Sequence, residues 1–224
     1  MKPTKKLLIN QPAGIGDILF IQKIVKKLSE DYEVYHPVKD SISWMTDYVD
    51  TTCKQSDCQA ETFDVVVNLD GLELPNMSHM KAKYVALEIN HEDFIDYIDI
   101  IRDKDKEDEL FSKMIDQTPY RLVCPWYGTP ETKNGGMLKM NIPHSEEYAN
   151  VIMDIREGYT LFDWLKIIEN AEEIHTTDSA IMFLIEKYKC KAKELVAYSR
   201  REDHSKVSFM FQKDWSYVVG DKLL

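Results

Sequence analysis

The chain has 224 residues, 44% hydrophobic and 30% charged, with 8 Gly and 8 Pro. That composition excludes collagen-like, linker-dominated and disordered classes and allows one large domain or two small ones. The formal charge of −11 argues against a general binder of nucleic acid or of anionic membranes, which needs net Lys and Arg, while leaving room for one amide-lined pocket for a single phosphate group.

In chain order, residues 6–11 (KLLINQ) read as a buried first strand, followed by the turn PAGIGD. Ile18, Leu19, Ile21, Ile24, Val25 and Leu28 then recur at helical spacing. Residues 33–38 (EVYHPV) read as a second strand ended by Pro37, with a short helix over 41–49. Residues 64–69 (DVVVNL) form the clearest buried strand of the first half, ending at the turn pair Asp70-Gly71. Residues 83–89 (KYVALEI) read as a further strand. From Glu92, Phe94, Tyr97, Ile98 and Ile101 fit one helical stripe, and the charged run 102–109 reads as a solvated helix face or end.

The second half begins with strand 120–126 (YRLVCPW) and the loop YGTPETKNGG. Strand 150–155, amphipathic helix 160–171, strand 172–177, helix 179–189 and strand 193–199 follow. Strands alternating with helices predict parallel sheets covered on both faces. The expected fold is therefore α/β, with two Rossmann-like domains, 1–116 and 117–224, facing across a cleft. Charge divides unevenly: 14 Lys/Arg against 23 Asp/Glu in 1–116, and 14 against 16 in 117–224. An anionic ligand is better accommodated by the second half.

No stretch approaches the ~18 apolar residues of a membrane span, and the N-terminal segment lacks the apolar run of a signal peptide. Cysteines 53, 58, 124 and 190 lack C-x-x-C spacing, which fits a reduced, cytoplasmic protein without a zinc module. The six histidines show no H-x-x-x-H pattern, so no metal ligand is expected among them. A G-x-S-x-G elbow is also missing, leaving hydrolase chemistry without a nucleophile.

Two strand-to-helix turns carry the candidate chemistry. At Gly14-Ile15-Gly16-Asp17, glycines permit a tight turn near a ligand. The third glycine of the dinucleotide fingerprint is missing, as is the Gly-Lys-Ser/Thr of a P-loop. Asp17 reads either as a first-turn carboxylate favoured by the helix dipole or as a general base at a sheet edge. At Thr176-Thr177-Asp178-Ser179-Ala180, Asp178 or Ser179 is a natural N-cap, and the same turn offers amides and hydroxyls to a phosphate.

Together these segments resemble the heptosyltransferase-like glycosyltransferases of family nine: KLLINQPAGIGDILFIQKIVKKL is similar to their opening, and GYTLFDWLKIIENAEEIHTTDSAIMFLIEKY to their second-domain signature. The resemblance implies a GT-B fold, with acceptor on the first domain and nucleotide-sugar on the second. It implies no metal and no cofactor beyond that co-substrate. By resemblance Asp17 is the base that deprotonates an acceptor hydroxyl, on a glycan or a small molecule, with Gly14 and Gly16 in the turn on the acceptor side. Thr177, Asp178, Ser179 and Ala180 fall at the diphosphate turn, Asp154 near the donor's ribose or sugar, and Lys133 at the basic donor contact. Arg156 is a further cation within reach of that face, and Trp126, beside Gly128, is placed to stack on a base or sugar. The chain departs from the family at Ala180, where the family has Gly, and at Phe183, where it has His. It is shorter than a usual GT-B enzyme, and the family's usual C-terminal helix is not evident in QKDWSYVVGDKLL. Those departures keep two alternatives in view: a non-catalytic nucleotide- or sugar-binding module, and a glycosyltransferase acting on modified nucleic-acid bases.

Overall fold

The computed structural model of the chain describes residues 5–11, 14–58, 61–75, 77–128, 138–154, 157–200 and 204–219. It forms two compact units, residues 1–101 and 102–224.

In the first unit β1 (Lys6–Asn10) leads into α1 (Ile15–Phe20) and α2 (Gln22–Leu28), which are separated by Ile21. Next come β2 (Glu33–Tyr35), β3 (Pro37–Val38), a 3-10 helix (Asp40–Asp47), β4 (Cys53–Lys54), α3 (Gln55–Cys58), β5 (Val65–Asn68), α4 (His79–Val85) and a 3-10 turn at Phe94–Tyr97. β2, β1 and β5 make a parallel sheet with β1 central, while β3 and β4 pair separately. Leu7 and Ile9 of β1 are buried, as are Ile18, Leu19, Phe20, Ile24 and Val25, the helical face that the sequence pattern predicts.

Three readings of this half are corrected. The run 33–38 is split between two sheets, because Pro37 offers no N–H to continue the ladder. β5 is half-exposed rather than buried, with Val66 58% exposed: it lies at the sheet's edge among the described residues. The expected strand 83–89 is the end of α4 and the turn after it. Ser78 caps that helix by accepting a hydrogen bond from the Lys81 N–H, and Ala82 and Tyr84 bury its inner face.

The second unit opens with α5 (Lys104–Met114), capped by the Asp103 side chain. The charged run is therefore a helix, with Glu107 buried against Arg102. α5 packs on the 3-10 turn Leu161–Trp164 and on α6 (Leu165–Asn170), so it belongs to this unit rather than to the first half. Strands β6 (Tyr120–Cys124), β7 (Trp126–Tyr127), β8 (Leu138–Lys139), β9 (Ala149–Ile152), β10 (Glu173–Thr177), β11 (Glu194–Ser199) and β12 (Trp215–Val219) complete it, with α7 (Ile181–Lys187) and α8 (Ser205–Ser208). Thr160 and Asp163 form a reciprocal capping box ahead of α6. β12, which sequence reasoning missed, is where the family's C-terminal helix was sought.

The main sheet is entirely parallel, in the order β12-β11-β10-β6-β9. Renumbered along the chain this is the doubly wound order 2-1-3-4-5, whose direction of winding reverses between β6 and β10. One sheet face carries the cluster Val123, Tyr127, Met140, Ile142, Val196 and Tyr198. Met140 and Ile142 come from the segment after β8, which lies over that face. No helix among the described residues is long and apolar enough to cross a membrane.

Candidate functional site

In a parallel α/β sheet, ligands bind beyond the carboxyl ends of the strands where the winding reverses, because the connecting loops part there. In the first unit that place lies beyond β1 and β5, whose last residues are joined by a hydrogen bond from Asn10 Nδ2 to Asn68 Oδ1 at 3.2 Å. Gly14 and Asp17 follow directly. Gly14 is the N-cap of α1 at φ −80° and ψ 175°, a conformation open to any residue, and Gly16 is inside the helix. Neither glycine is required by backbone conformation.

Asp17 is in the first turn of α1, and its Oδ1 accepts a hydrogen bond from Lys83 Nζ at 2.5 Å. The Lys83 side chain is 6% exposed and that of Asp17 35%. A buried ammonium thus fixes one carboxylate oxygen, while Oδ2 takes no hydrogen bond among the described residues. Sequence reasoning missed Lys83 because a strand over 83–89 points it elsewhere; the Ser78 cap is the signal that places it.

Lys83 acts on a second group. His36, between β2 and β3, is wholly buried, and neither ring nitrogen has a hydrogen-bond partner among the described residues. Burial, reinforced by the Lys83 charge, lowers its pKa to about 4. The unfolded chain then binds a proton that the folded one refuses, so stability is full above pH ~6.5 and falls by about 1.4 kcal/mol per pH unit towards pH 4. In urea unfolding between pH 7 and 5, His36→Leu should flatten this slope, and parallel profiles for the two proteins would refute it.

In the second unit the reversal lies between β6 and β10, and the residues that follow them are the predicted ones. Thr177 Oγ1 donates a 3.0 Å hydrogen bond to the Trp126 carbonyl, bringing the 126–128 and 177–180 turns together. Gly128 has φ 95°, a left-handed value that favours glycine. The Trp126 indole N–H is buried without a partner among the described residues, and Lys139 Nζ stands 5.4 Å from its ring centroid.

The turn after β10 is more occupied than expected. The Asp178 N–H donates to the Tyr198 carbonyl and the Ser179 N–H to the Thr177 carbonyl, leaving the amides of Ala180 and Ile181 outside these bonds. Asp178 does not cap α7. Its side chain is buried and ion-paired with Arg200, whose Nη2 also donates to the Asp178 carbonyl at 2.7 Å. Ser199 Oγ lies 3.4 Å from Asp178 Oδ2. Arg200, 32% exposed at its side chain and 5.5 Å from the Tyr127 ring centroid, is the cation of this edge that the sequence did not single out. The Ser179 hydroxyl makes no hydrogen bond among the described residues.

Phe183 packs edge-on against Phe211 at 5.2 Å, in the core. Asp154 is exposed, two residues beyond β9. Lys133 and Arg156 lie outside the described residues.

No protein-family model matches the chain, and no curated protein matches it in sequence. Solved structures do. A glycosyl transferase of family 9 from Veillonella parvula matches with TM-score 0.63 and 10% identity, over 97% of this chain and 88% of that one. The ADP-heptose LPS heptosyltransferase II of E. coli matches with TM-score 0.53 and 12% identity, over 96% and 90%. The dodecameric iron-containing heptosyltransferase TibC, solved in complex with ADP-D-beta-D-heptose, matches with TM-score 0.56 and 10% identity; this chain spans 63% of its length. The chain therefore shares its α/β fold with these solved GT-B glycosyltransferases, at low sequence identity.

Proposed function

We propose that the protein transfers a glycosyl group from a nucleotide-activated sugar to an acceptor hydroxyl. The observation that carries this reading is the position of Asp17 and of the Thr177–Ala180 turn, each at the winding reversal of its own parallel sheet, in a fold shared with solved glycosyltransferases. The acceptor oxygen attacks the anomeric carbon, the bond from that carbon to the diphosphate oxygen breaks, and the acceptor proton passes to Asp17 Oδ2. Lys83 holds Oδ1 and so orients the carboxylate.

Charge grows on the leaving diphosphate as the bond breaks. The amides of Ala180 and Ile181, the Ser179 hydroxyl and the exposed part of Arg200 are the donors available to it, so no metal ion is needed for the step. The base or sugar of the donor stacks at Trp126, with Gly128 giving the loop its turn. Asp154, Lys133 and Arg156 remain proposed donor contacts on the grounds of resemblance and position. A cytoplasmic protein acting on a glycan or small-molecule acceptor fits this chemistry.

One observation favours a second reading. Phe183 stands where the family has His and is packed in the core, which suits a module that binds a nucleotide-sugar without turning it over. A panel of nucleotide-sugars separates the two, since only an enzyme transfers or hydrolyses the donor. Binding itself is tested more cheaply. A nucleoside diphosphate at 100 times Kd should stabilise the chain by about 2.7 kcal/mol, seen as a thermal shift without added divalent metal. Ser179→Glu should abolish that shift while sparing the fold, because it sets a carboxylate against the diphosphate. Absence of any shift in the wild type at millimolar nucleotide would remove the donor site.

A further inference from the structure

The far end of the second sheet holds a cluster that glycosyl transfer does not use. Glu173 and His175 lie two residues apart on β10, and so share one sheet face. Glu194, the first residue of β11, is in register with Glu173, which puts it on the same face. Ligand atoms of the three residues all lie within 4.8 Å of one another. These are the amino ends of the strands, opposite to the 177–180 turn.

The histidine separates this cluster from an ordinary acidic patch. His175 is 6% exposed, and its Nδ1 is 3.2 Å from the Tyr198 hydroxyl, which fixes the ring. Nε2 is then directed at the carboxylates, 3.8 Å from Glu173 Oε2, buried and without a hydrogen-bond partner among the described residues. That distance is too long for a hydrogen bond, and a buried polar atom left unpaired is costly. A metal ion seated among the three side chains satisfies Nε2 as no protein group does. Tyr198 would then serve as the outer partner that a metal-bound histidine regularly has.

The charges around the cluster are compatible with a cation. Arg121 on β6 pairs with Glu173, but both of its contacts, from Nε at 2.6 Å and Nη2 at 2.5 Å, are to Oε2. Oε1 is thereby left for a ligand. Glu194 is exposed and has no ion pair among the described residues, so it supplies both a second carboxylate and a route of entry from solvent.

We propose that Glu173, His175 and Glu194 form a binding site for a divalent transition-metal ion of the zinc type, through one imidazole nitrogen and two carboxylate oxygens. Water completes the coordination, as is usual for mixed nitrogen and oxygen sites of this kind. The ion joins β10 to β11 at the end remote from the donor turn, so its role is to hold the sheet together and not to take part in transfer. Sequence spacing conceals the site because Glu194 reaches it only through strand pairing.

Co2+ is the probe, because its visible absorption reports coordination directly, with Zn2+ as competitor. Chelator-stripped wild-type chain should take up a single equivalent of Co2+, lose the absorption band on adding Zn2+, and gain thermal stability with either ion. Glu194→Gln is at an exposed position and leaves the fold intact; it should weaken binding about tenfold or more. His175→Gln should do the same, with circular dichroism reporting whether it folds. Cys53→Ser/Cys58→Ser should bind as the wild type does, which sets aside the two thiols 3.3 Å apart in the first unit. No Co2+ or Zn2+ uptake by the wild type at millimolar metal, or unchanged affinity in Glu194→Gln, would overturn the proposal.

Discussion

Asp17→Asn should lower glycosyl transfer by about 10²-fold or more, the usual range for losing a general base, while nucleotide binding in the second unit stays close to that of the wild type. The same substitution has a structural effect that must be separated from the chemical one. It strands the Lys83 ammonium, 6% exposed, and breaking a buried ion pair from one side typically costs about 3–5 kcal/mol. Asp17→Asn/Lys83→Met removes both charges and should recover most of that stability, as judged by urea unfolding. Activity should not return with it. If the double variant regains transfer along with stability, Asp17 is a structural anchor for Lys83 and another group is the base. Lys83→Met alone should be milder on stability, because the carboxylate it leaves unpaired is 35% exposed at its side chain and reaches water.

Arg200→Met should be the most damaging single change at the donor turn. Among the described residues it leaves the Asp178 carboxylate, 1% exposed at its side chain, with only the 3.4 Å contact to Ser199 Oγ. The expected loss is again about 3–5 kcal/mol, and Arg200→Met/Asp178→Asn should restore most of it. Nucleoside diphosphate affinity should stay low in that restored double variant, by about tenfold or more, since a charge-assisted hydrogen bond is worth about 1.5–3 kcal/mol. Wild-type affinity in the double variant would assign Arg200 a purely structural role. Asp178→Asn alone leaves the half-exposed Arg200 intact and should keep binding. The two residues thus contribute differently, although the sequence motif contains only Asp178.

What was legible in the sequence is what neighbouring residues decide. The segment from β9 to β11 alternates strand and helix with clean periodicity, and the Gly14–Asp17 turn follows an apolar strand. Each of these signals is complete within about ten residues. The features that were missed depend on partners far along the chain. Lys83 meets Asp17 only because Ser78 starts a helix through a segment whose Lys-Tyr-Val run also suits a strand. Arg200 meets Asp178 because β10 and β11 run parallel and end together. Glu194 meets Glu173 and His175 through that same register. β12 (WSYVV) was overlooked although most of its residues are apolar, and it stays largely uncovered, with Val218 and Val219 43% and 61% exposed. Its pairing to β11, rather than its own pattern, makes it a strand.

The central position of β10 sets the order in which the second unit can be made on the ribosome. β6 pairs with β9 on one side and with β10 on the other, and β9 is the first of those partners to emerge. Two parallel strands give little protection to the apolar residues Leu122 and Val123. They stay open until the chain has been synthesised through Thr177 and α7 can fold over the growing sheet. Parallel pairings of such long range close slowly, so nascent chains stalled between Ile152 and Glu173 expose a sticky half-sheet. Vectorial synthesis therefore makes that interval the one in which a chaperone has most to shield.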